Sequence, residues 1–222
     1  MTDQSVSRAR ISSATWIGLF LSIFAILIIR QAVSYFWPTL IFTAVLWKES
    51  LIWLCAIVLL VIIRRGERLP FTSIGIGTAP LWKSILWGLV LAVICGAVGA
   101  AIAVLTHFNG GKTGEALDKL PVWLVTLIVI RAGVVEELFY RGYAIERLQA
   151  LGLNRYWAAA VPLIIFSLGH WTGGWPNIVI ALALGAVLSG FYLWRRDLVT
   201  NMIGHFMVDF VANVLPKMFP HS

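Results

Sequence analysis

Long apolar runs constrain this chain more than any other feature of its sequence. An α-helix needs about 20 mostly apolar residues to cross a bilayer. Seven segments approach or reach that length: 13–37, 46–63, 82–106, 121–140, 157–170, 176–194 and 198–216. Only helices and closed barrels satisfy their backbone polar groups in lipid, and no strand-like alternation competes with the apolar runs. We therefore predict an all-α polytopic membrane bundle of about seven helices. A short additional or re-entrant piece at 39–46 would make eight.

The composition agrees with a membrane protein. The chain is 60% hydrophobic and only 12% charged, whereas a soluble domain carries about 25% charged residues. Its net charge of +7 comes from lysines and arginines in short clusters between the apolar runs. This pattern is typical of topology signals, so we predict the lipid bilayer as a partner and no nucleic acid. Cys55 and Cys95 lie within apolar runs, which indicates buried thiols and no disulfide framework.

The loop charges predict the orientation. With a cytoplasmic N-terminus, 11 lysines and arginines would lie on the inner side and 4 on the outer side. The inner set is Arg8, Arg10, Arg64, Arg65, Arg68, Lys83, Arg141, Arg147, Arg155, Arg195 and Arg196, and the outer set is Lys48, Lys112, Lys119 and Lys217. Cytoplasmic loops carry an excess of Lys and Arg. We predict a multi-pass protein of the plasma or inner membrane with its N-terminus in the cytoplasm.

A few ionisable residues lie within the apolar runs, where each charge costs at least a few kcal/mol unless it is paired or functional. They are Arg30, Arg131, Glu136, Glu137, His170, His205 and Asp209, with Arg141 at a boundary. Three pairs have the i, i+4 spacing that puts side chains on one helix face. These pairs are Glu137 with Arg141, Phe166 with His170, and His205 with Asp209. We interpret Arg30 and Arg131 as mainly structural.

The polar residues should meet at one depth. If the turn between the fourth and fifth spans lies at 151–154, Glu136 and His170 are each about 25 Å from it along antiparallel helices. His205 lies about 12 Å into the last span. We predict one buried pocket that opens toward the cytoplasm. His170 would then end a fifth span that is too short to cross, with a break at 171–177.

These residue types suit hydrolysis. A glutamate beside a histidine can share a water, remove its proton and direct it at a carbonyl. A second histidine with a carboxyl partner can donate to the developing oxyanion. Two alternatives stay open. Two histidines and a glutamate can also ligate zinc with one open position, and intramembrane acids and histidines also build proton relays in transporters or lie in non-catalytic scaffolds.

Three short motifs resemble one known family. The sequences EELFYR (136–141), FSLGH (166–170) and HFMVD (205–209) are similar to the EExxxR, FxxxH and HxxxN/D motifs of the CPBP family, the CAAX protease and bacteriocin-processing membrane proteins. Their order and their placement on separate spans also agree. The resemblance covers roughly 121–216. We therefore divide one continuous membrane domain into N-terminal helices at 1–120 and a catalytic core at 121–216.

The resemblance implies a glutamic-type intramembrane endopeptidase that cuts a membrane-anchored protein or peptide without a cofactor. Glu136 would be the general base, and His170 would help to activate the same water. Glu137, Arg141 and Phe166 would support the site. His205 and Asp209 would stabilise the oxyanion, although related members can carry Asn at the Asp209 position. A carboxylate would repel an oxyanion, so Asp209 would be protonated or would instead orient His205.

Overall fold

The computed structural model describes residues 12–37 and 42–219. Within these ranges the chain is helical and has no β-strand. We number eight helices: α1 Ser13–Phe36, α2 Phe42–Gly66, α3 Leu81–Leu105, α4 Gly111–Asp118, α5 122–150, α6 Arg155–Leu168, α7 Trp175–Arg195 and α8 Leu198–Met218. Seven of them coincide with the predicted membrane spans. The all-α membrane bundle is therefore confirmed for the described residues, with α4 as a short extra helix between α3 and α5.

Five of the helices are long and apolar enough to cross a membrane: α1, α2, α3, α7 and α8. Helix α5 is longer, but Arg131, Glu136 and Glu137 lie near its middle. Helix α6 is apolar but has only 14 residues. The two helices that depart from simple spans are thus the ones that carry the first two motifs.

Helix α2 begins earlier than the sequence predicted. Residues 42–46 form its first turn, so they are not a separate re-entrant piece, while 39–41 lie outside the described residues. Lys48 and Glu49 lie within the helix, and Glu49 is buried. A charged pair in the first turns did not interrupt this helix, because Glu49 has a cationic partner on another helix.

Helix α5 is not a regular α-helix. It begins as an α-helix at Val122–Arg131, continues as a π-helix over Ala132–Ile145 and ends as an α-helix at Glu146–Ala150. A π-helix has i→i+5 hydrogen bonds and a wider turn, and such turns are frequent at functional sites. Residues five apart therefore approach each other, which the regular 3.6-residue period did not predict.

Helix α6 ends early, as predicted. The turn at 151–154 precedes it, and the Asn154 side chain caps its first turn by accepting from the backbone N–H groups of Tyr156 and Trp157, both at 3.0 Å. After Leu168 the chain forms a 3₁₀ turn at Trp171–Gly173. Gly174 then takes a φ of 89°, where glycine has no steric penalty. The non-helical backbone is tolerated because it is hydrogen-bonded to the protein around it.

Candidate active site

Glu137 is the most buried acid of the site, with no exposed surface. Its Oε1 atom accepts from Arg141 Nη1 at 2.7 Å and contacts His205 Nδ1 at 2.8 Å. Its Oε2 atom accepts from Asn201 Nδ2 at 3.2 Å. The pair of Glu137 with Arg141 follows the predicted i, i+4 spacing. The contacts with Asn201 and His205 come from α8 and join that helix to α5.

Glu136 faces a different set of partners. Its Oε1 atom accepts from Arg131 Nη1, and Arg131 Nε donates to Glu49 Oε2 at 2.7 Å. Arg131 and Glu136 are five residues apart, and the π-helical turn lets them meet. The guanidinium thus lies between two carboxylates, one from α2 and one from α5. Arg131 therefore contacts a candidate site residue and lines the cavity, and its interpretation as a mainly structural residue stays a prediction.

His170 lies at the end of α6, where the helix breaks. Its Nδ1 atom is 2.9 Å from the carbonyl oxygen of Phe166. The backbone around it is held by side chains of other helices: Arg30 Nη1 donates to Gly169 O at 2.9 Å, and Asn177 Nδ2 donates to His170 O at 3.2 Å. Arg30 Nη2 also donates to Thr172 Oγ1 at 3.2 Å. His170 is therefore held both by the end of α6, through Phe166 O, and by side chains of α1 and α7 that fix the backbone after the helix.

His205 lies between two acids. Its Nδ1 atom contacts Glu137, while its Nε2 atom is 3.5 Å from Asp209 Oδ2. Asp209 follows one turn later on α8, as its spacing predicted. The side chain of Asp209 keeps 30% of its surface exposed, whereas that of His205 keeps 10%.

Phe166 joins the three motifs through its ring. The Arg141 guanidinium lies over this ring at 4.6 Å, and the His170 ring lies 4.7 Å away. The ring of His205 meets it edge-on at 6.4 Å. A buried cation over an aromatic face is attracted by the ring quadrupole. The Phe166 ring therefore packs between the Arg141 guanidinium and the His170 ring, with His205 at its edge.

Helices α5 and α8 approach closely at Gly133. A Cβ atom there would lie 2.8 Å from Phe206 Cβ and 2.9 Å from the Phe206 backbone nitrogen. Gly142, further along α5, packs against the first residue of α8 in the same way. A Cβ atom at Gly142 would lie 2.6 Å from a methyl carbon of Leu198. Small residues let membrane helices approach at their backbones. This close packing brings Asn201 and His205 within reach of Glu137.

A cavity of about 530 Å³ connects the candidate residues. Five of the predicted site residues line it, namely Glu136, Phe166, His170, His205 and Asp209. Glu137 and Arg141 do not line the cavity and are buried in the protein beside it. The structure therefore brings the predicted residues together from three helices and separates the two glutamates: one faces the cavity, and the other is enclosed in protein.

The direction of the cavity corrects one prediction. It extends from the site toward α4 and the C-terminal end of α1, with Trp37, Lys112 and Leu117 in its lining. The predicted opening was at the opposite end, beside the arginine-rich loops. That end is filled because the segment after Arg141 is buried: Tyr143, Ala144 and Ile145 have no exposed surface.

Two residues of the site were missed. Glu49 lies near the start of the predicted second span, where a buried acid in an apolar run is itself a signal for a cationic partner. Asn201 lies four residues before His205, so both lie on one face of α8, and this spacing could have identified it.

Among the described residues, no three His, Cys, Asp or Glu side chains form a group that could hold a metal ion.

The comparison with protein families bears on the same region. Residues 118–211 match a family model described as type II CAAX prenyl endopeptidase Rce1-like. This region is similar to the CAAX protease family. All three motifs fall within it, so the resemblance inferred from them is confirmed for the CAAX-protease-like region, 118–211. A search of the curated proteins and a search of the solved structures find no match.

The family match and the five apolar helices together support two general statements. The chain is a membrane protein, and its CAAX-protease-like region supports intramembrane protease activity with a membrane-associated protein as substrate. The match names no residue of this chain as catalytic, so the roles of the individual side chains are proposals from geometry.

Proposed function

We propose that the protein is a glutamic-type intramembrane endopeptidase in which Glu136 is the general base. One observation carries the proposal: Glu136 of α5, His170 of α6 and His205 of α8 line a single cavity inside the bundle. The adjacent Glu137 is enclosed and holds Arg141, Asn201 and His205 in place. Of the two adjacent carboxylates, only Glu136 can meet a substrate that enters this cavity.

Glu136 and His170 are suited to share a water. A carbonyl oxygen only accepts hydrogen bonds, so His170 Nδ1 carries the proton that it donates to Phe166, and in the neutral ring Nε2 is an acceptor. Arg131 donates to one oxygen of Glu136 and favours its ionised form. Among the described residues no hydrogen bond reaches the other oxygen, Oε2. We infer that Glu136 Oε2 and His170 Nε2 orient the water, and that Glu136 takes its proton.

We propose that His205 and Asp209 stabilise the negative charge that develops on the substrate. A ring between two carboxylates can donate to both only as an imidazolium. His205 would donate from Nδ1 to Glu137 and direct its Nε2–H into the cavity, where it stabilises the oxyanion that forms on the attacked carbonyl. Asp209, at 3.5 Å, would orient this Nε2–H. In this proposal Asp209 acts through His205, which is the second of the two roles considered for it from the sequence.

The remaining parts of the proposal follow from the charge pattern and the site. The protein would lie in the plasma or inner membrane with its N-terminus in the cytoplasm, since the arginine-rich loops share that side. The reaction uses side chains and water alone, so we propose no cofactor. The substrate is a membrane-anchored protein or peptide.

A substrate-trapping comparison tests the function. Membranes from host cells that contain the wild-type protein or Glu136→Gln are compared by mass spectrometry of protein termini, with Glu115→Gln as the matched control. Glu115 is exposed on α4 and does not line the cavity. We expect new termini with the wild type and with Glu115→Gln, and the same proteins uncut with Glu136→Gln. Equal cutting by a folded Glu136→Gln protein would disprove the assignment of the base.

A further inference from the structure

The cavity has one closed end and one end that reaches the surface. Its lining runs from Glu136 and His170 to α4, where Lys112, Thr113 and Ala116 border it. Lys112 is exposed. Of the described residues that line the cavity, none lies in the connections 67–80, 151–154 or 196–197 at the other end of the bundle. A substrate can therefore reach the site from the α4 end.

The other end is sealed by packing and by ion pairs. Ile63, Ile74, Tyr143, Ile145 and Leu198 have no exposed surface and fill the space between α2, α5 and α8. Beyond this apolar layer, Arg147 and Glu67 form an ion pair at 2.8 Å with both side chains only 3% exposed. Tyr143 also donates to Glu67, at 2.9 Å. Opening this end would break a buried charge pair and expose a packed core.

The charges identify the side of the membrane to which each end belongs. The sealed end carries the larger number of Lys and Arg residues, namely Arg64, Arg65, Arg68, Lys83, Arg155, Arg195 and Arg196. The α4 end carries Lys112, Lys119 and Lys217 at its surface, and Lys217 contacts Asp118. By the positive-inside rule, the sealed end is cytoplasmic and the α4 end is not.

A second depression lies beside the outer part of the cavity. This groove, of about 320 Å³, runs between α1 and the segment after α6 and shares Arg30, Ser34 and Thr172 with the cavity. Ile28 and Trp171 also line it, and both are exposed apolar side chains, 50% and 60% respectively. Its lining combines these apolar side chains with the polar residues Arg30, Gln31, Ser34 and Thr172. A groove that offers lipid-facing apolar side chains where it meets the cavity suits a substrate whose anchor stays in the lipid.

We propose that the protein takes the non-cytoplasmic segment of a membrane-anchored polypeptide, which enters from the α4 end with its anchor against α1. The cations Arg30, Lys48 and Lys112 line the route and favour a segment with a carboxylate near the cut bond. A lipid-modified tail in the cytoplasmic leaflet would meet the sealed end instead. This inference rests on the proposed function for the cut itself, but the side of access is independent of it.

Cysteine labelling tests the side of access. Single cysteines are placed by Lys112→Cys and, as the matched control at the sealed end, by Lys83→Cys, both in a chain that carries Cys55→Ala and Cys95→Ala. Both lysines are exposed. Intact cells are treated with a membrane-impermeant maleimide. We expect Lys112→Cys to be labelled and Lys83→Cys to be labelled only after the cells are permeabilised. The reverse result would overturn the proposal.

Blockage tests the route itself. A bulky maleimide on Thr113→Cys, which borders the cavity, should abolish the cutting of the proteins found with Glu136→Gln, while the same adduct on Lys83→Cys should leave it intact. Undiminished cutting with a fully labelled Thr113→Cys would overturn the route. The two proposals fail in different ways. If the proposed function is wrong, Glu136→Gln will still cut; if only the side of access is wrong, Glu136→Gln will be inactive and the labelling pattern will be reversed.

Discussion

Glu137 and His205 lie 68 positions apart in the chain, yet Glu137 Oε1 and His205 Nδ1 are 2.8 Å apart. Through this contact, the enclosed carboxylate of α5 orients a ring that lines the cavity on α8. The same oxygen also accepts from Arg141 at 2.7 Å. One buried acid therefore links the packing of two helices to the geometry of the candidate site.

Glu137→Gln should destabilise the fold strongly. The change leaves Arg141, which is 1% exposed, without its carboxylate, and removal of one partner from a buried ion pair costs about 3–5 kcal/mol. Thermal unfolding in detergent measures the loss, with the exposed Glu115→Gln as control. We expect a smaller loss for Glu136→Gln, because Arg131 keeps its contact with Glu49. Equal unfolding temperatures for the Glu137 and Glu115 variants would contradict the structural role of Glu137.

Arg131 and Glu49 should act together on Glu136. Arg131→Lys cannot reproduce two separate N–H contacts with two carboxylates, so we expect a lower kcat in a protein that still folds. Glu49→Gln should have a similar effect through Arg131. A double-mutant cycle of Glu49→Gln and Arg131→Lys should give a coupling of about 0.5–3 kcal/mol in activity. Additive effects would show that Glu49 does not act through Arg131.

Gly133→Ala should separate α5 from α8. The added methyl would lie within 3.0 Å of Phe206 and of the Met202 carbonyl oxygen, largely against backbone atoms that cannot move aside alone. Overpacking of this kind costs about 1–3 kcal/mol. Gly190→Ala is the matched control, since no atom lies within 4 Å of its added Cβ. We expect loss of stability and of cutting for Gly133→Ala only, and identical behaviour of the two variants would refute the close-packing argument.

Arg30→Gln should lower activity by loosening the segment that carries His170. The guanidinium donates to Gly169 O and Thr172 Oγ1, and a shorter neutral amide cannot maintain both contacts. We expect a fall in kcat and faster limited proteolysis at 169–174, with a largely unchanged unfolding temperature. Arg65→Gln, exposed at the sealed end, serves as control. Unchanged proteolysis together with unchanged kcat would mean that Arg30 does not position this segment.

Removal of metal should leave the activity intact if side chains and water carry the reaction. In the proposed site His205 is an imidazolium that carries a proton on both ring nitrogens, so neither nitrogen has a lone pair for zinc. Purified protein is dialysed against a chelator and assayed on the proteins found with Glu136→Gln. Activity that is lost with the chelator and restored by zinc would favour the zinc alternative instead.

Local spacing was enough to predict the helices and the clustering of the candidate residues around one cavity. Apolar runs of membrane length are helical because lipid leaves the backbone no other partner. The i, i+4 pairs of Glu137 with Arg141 and His205 with Asp209 each join residues of a single helix, so the spacing along the sequence was enough to suggest them. The early end of α6 followed from the equal distances of Glu136 and His170 from their shared turn, and from the glycines that follow.

Contacts between helices were decided only in the tertiary structure. The partners of Glu137 on α8, the contact of Arg131 with Glu49 and the end at which the cavity opens all depend on how far each helix is rotated and shifted against its neighbours. Close packing at Gly133 and Gly142 sets the position of α5 against α8. The spacing of residues within a single helix does not predict this position. The π-helical turns of α5 add a second reason: they rotate Glu136 toward Arg131, although the apolar pattern of the sequence is equally compatible with an ordinary α-helix.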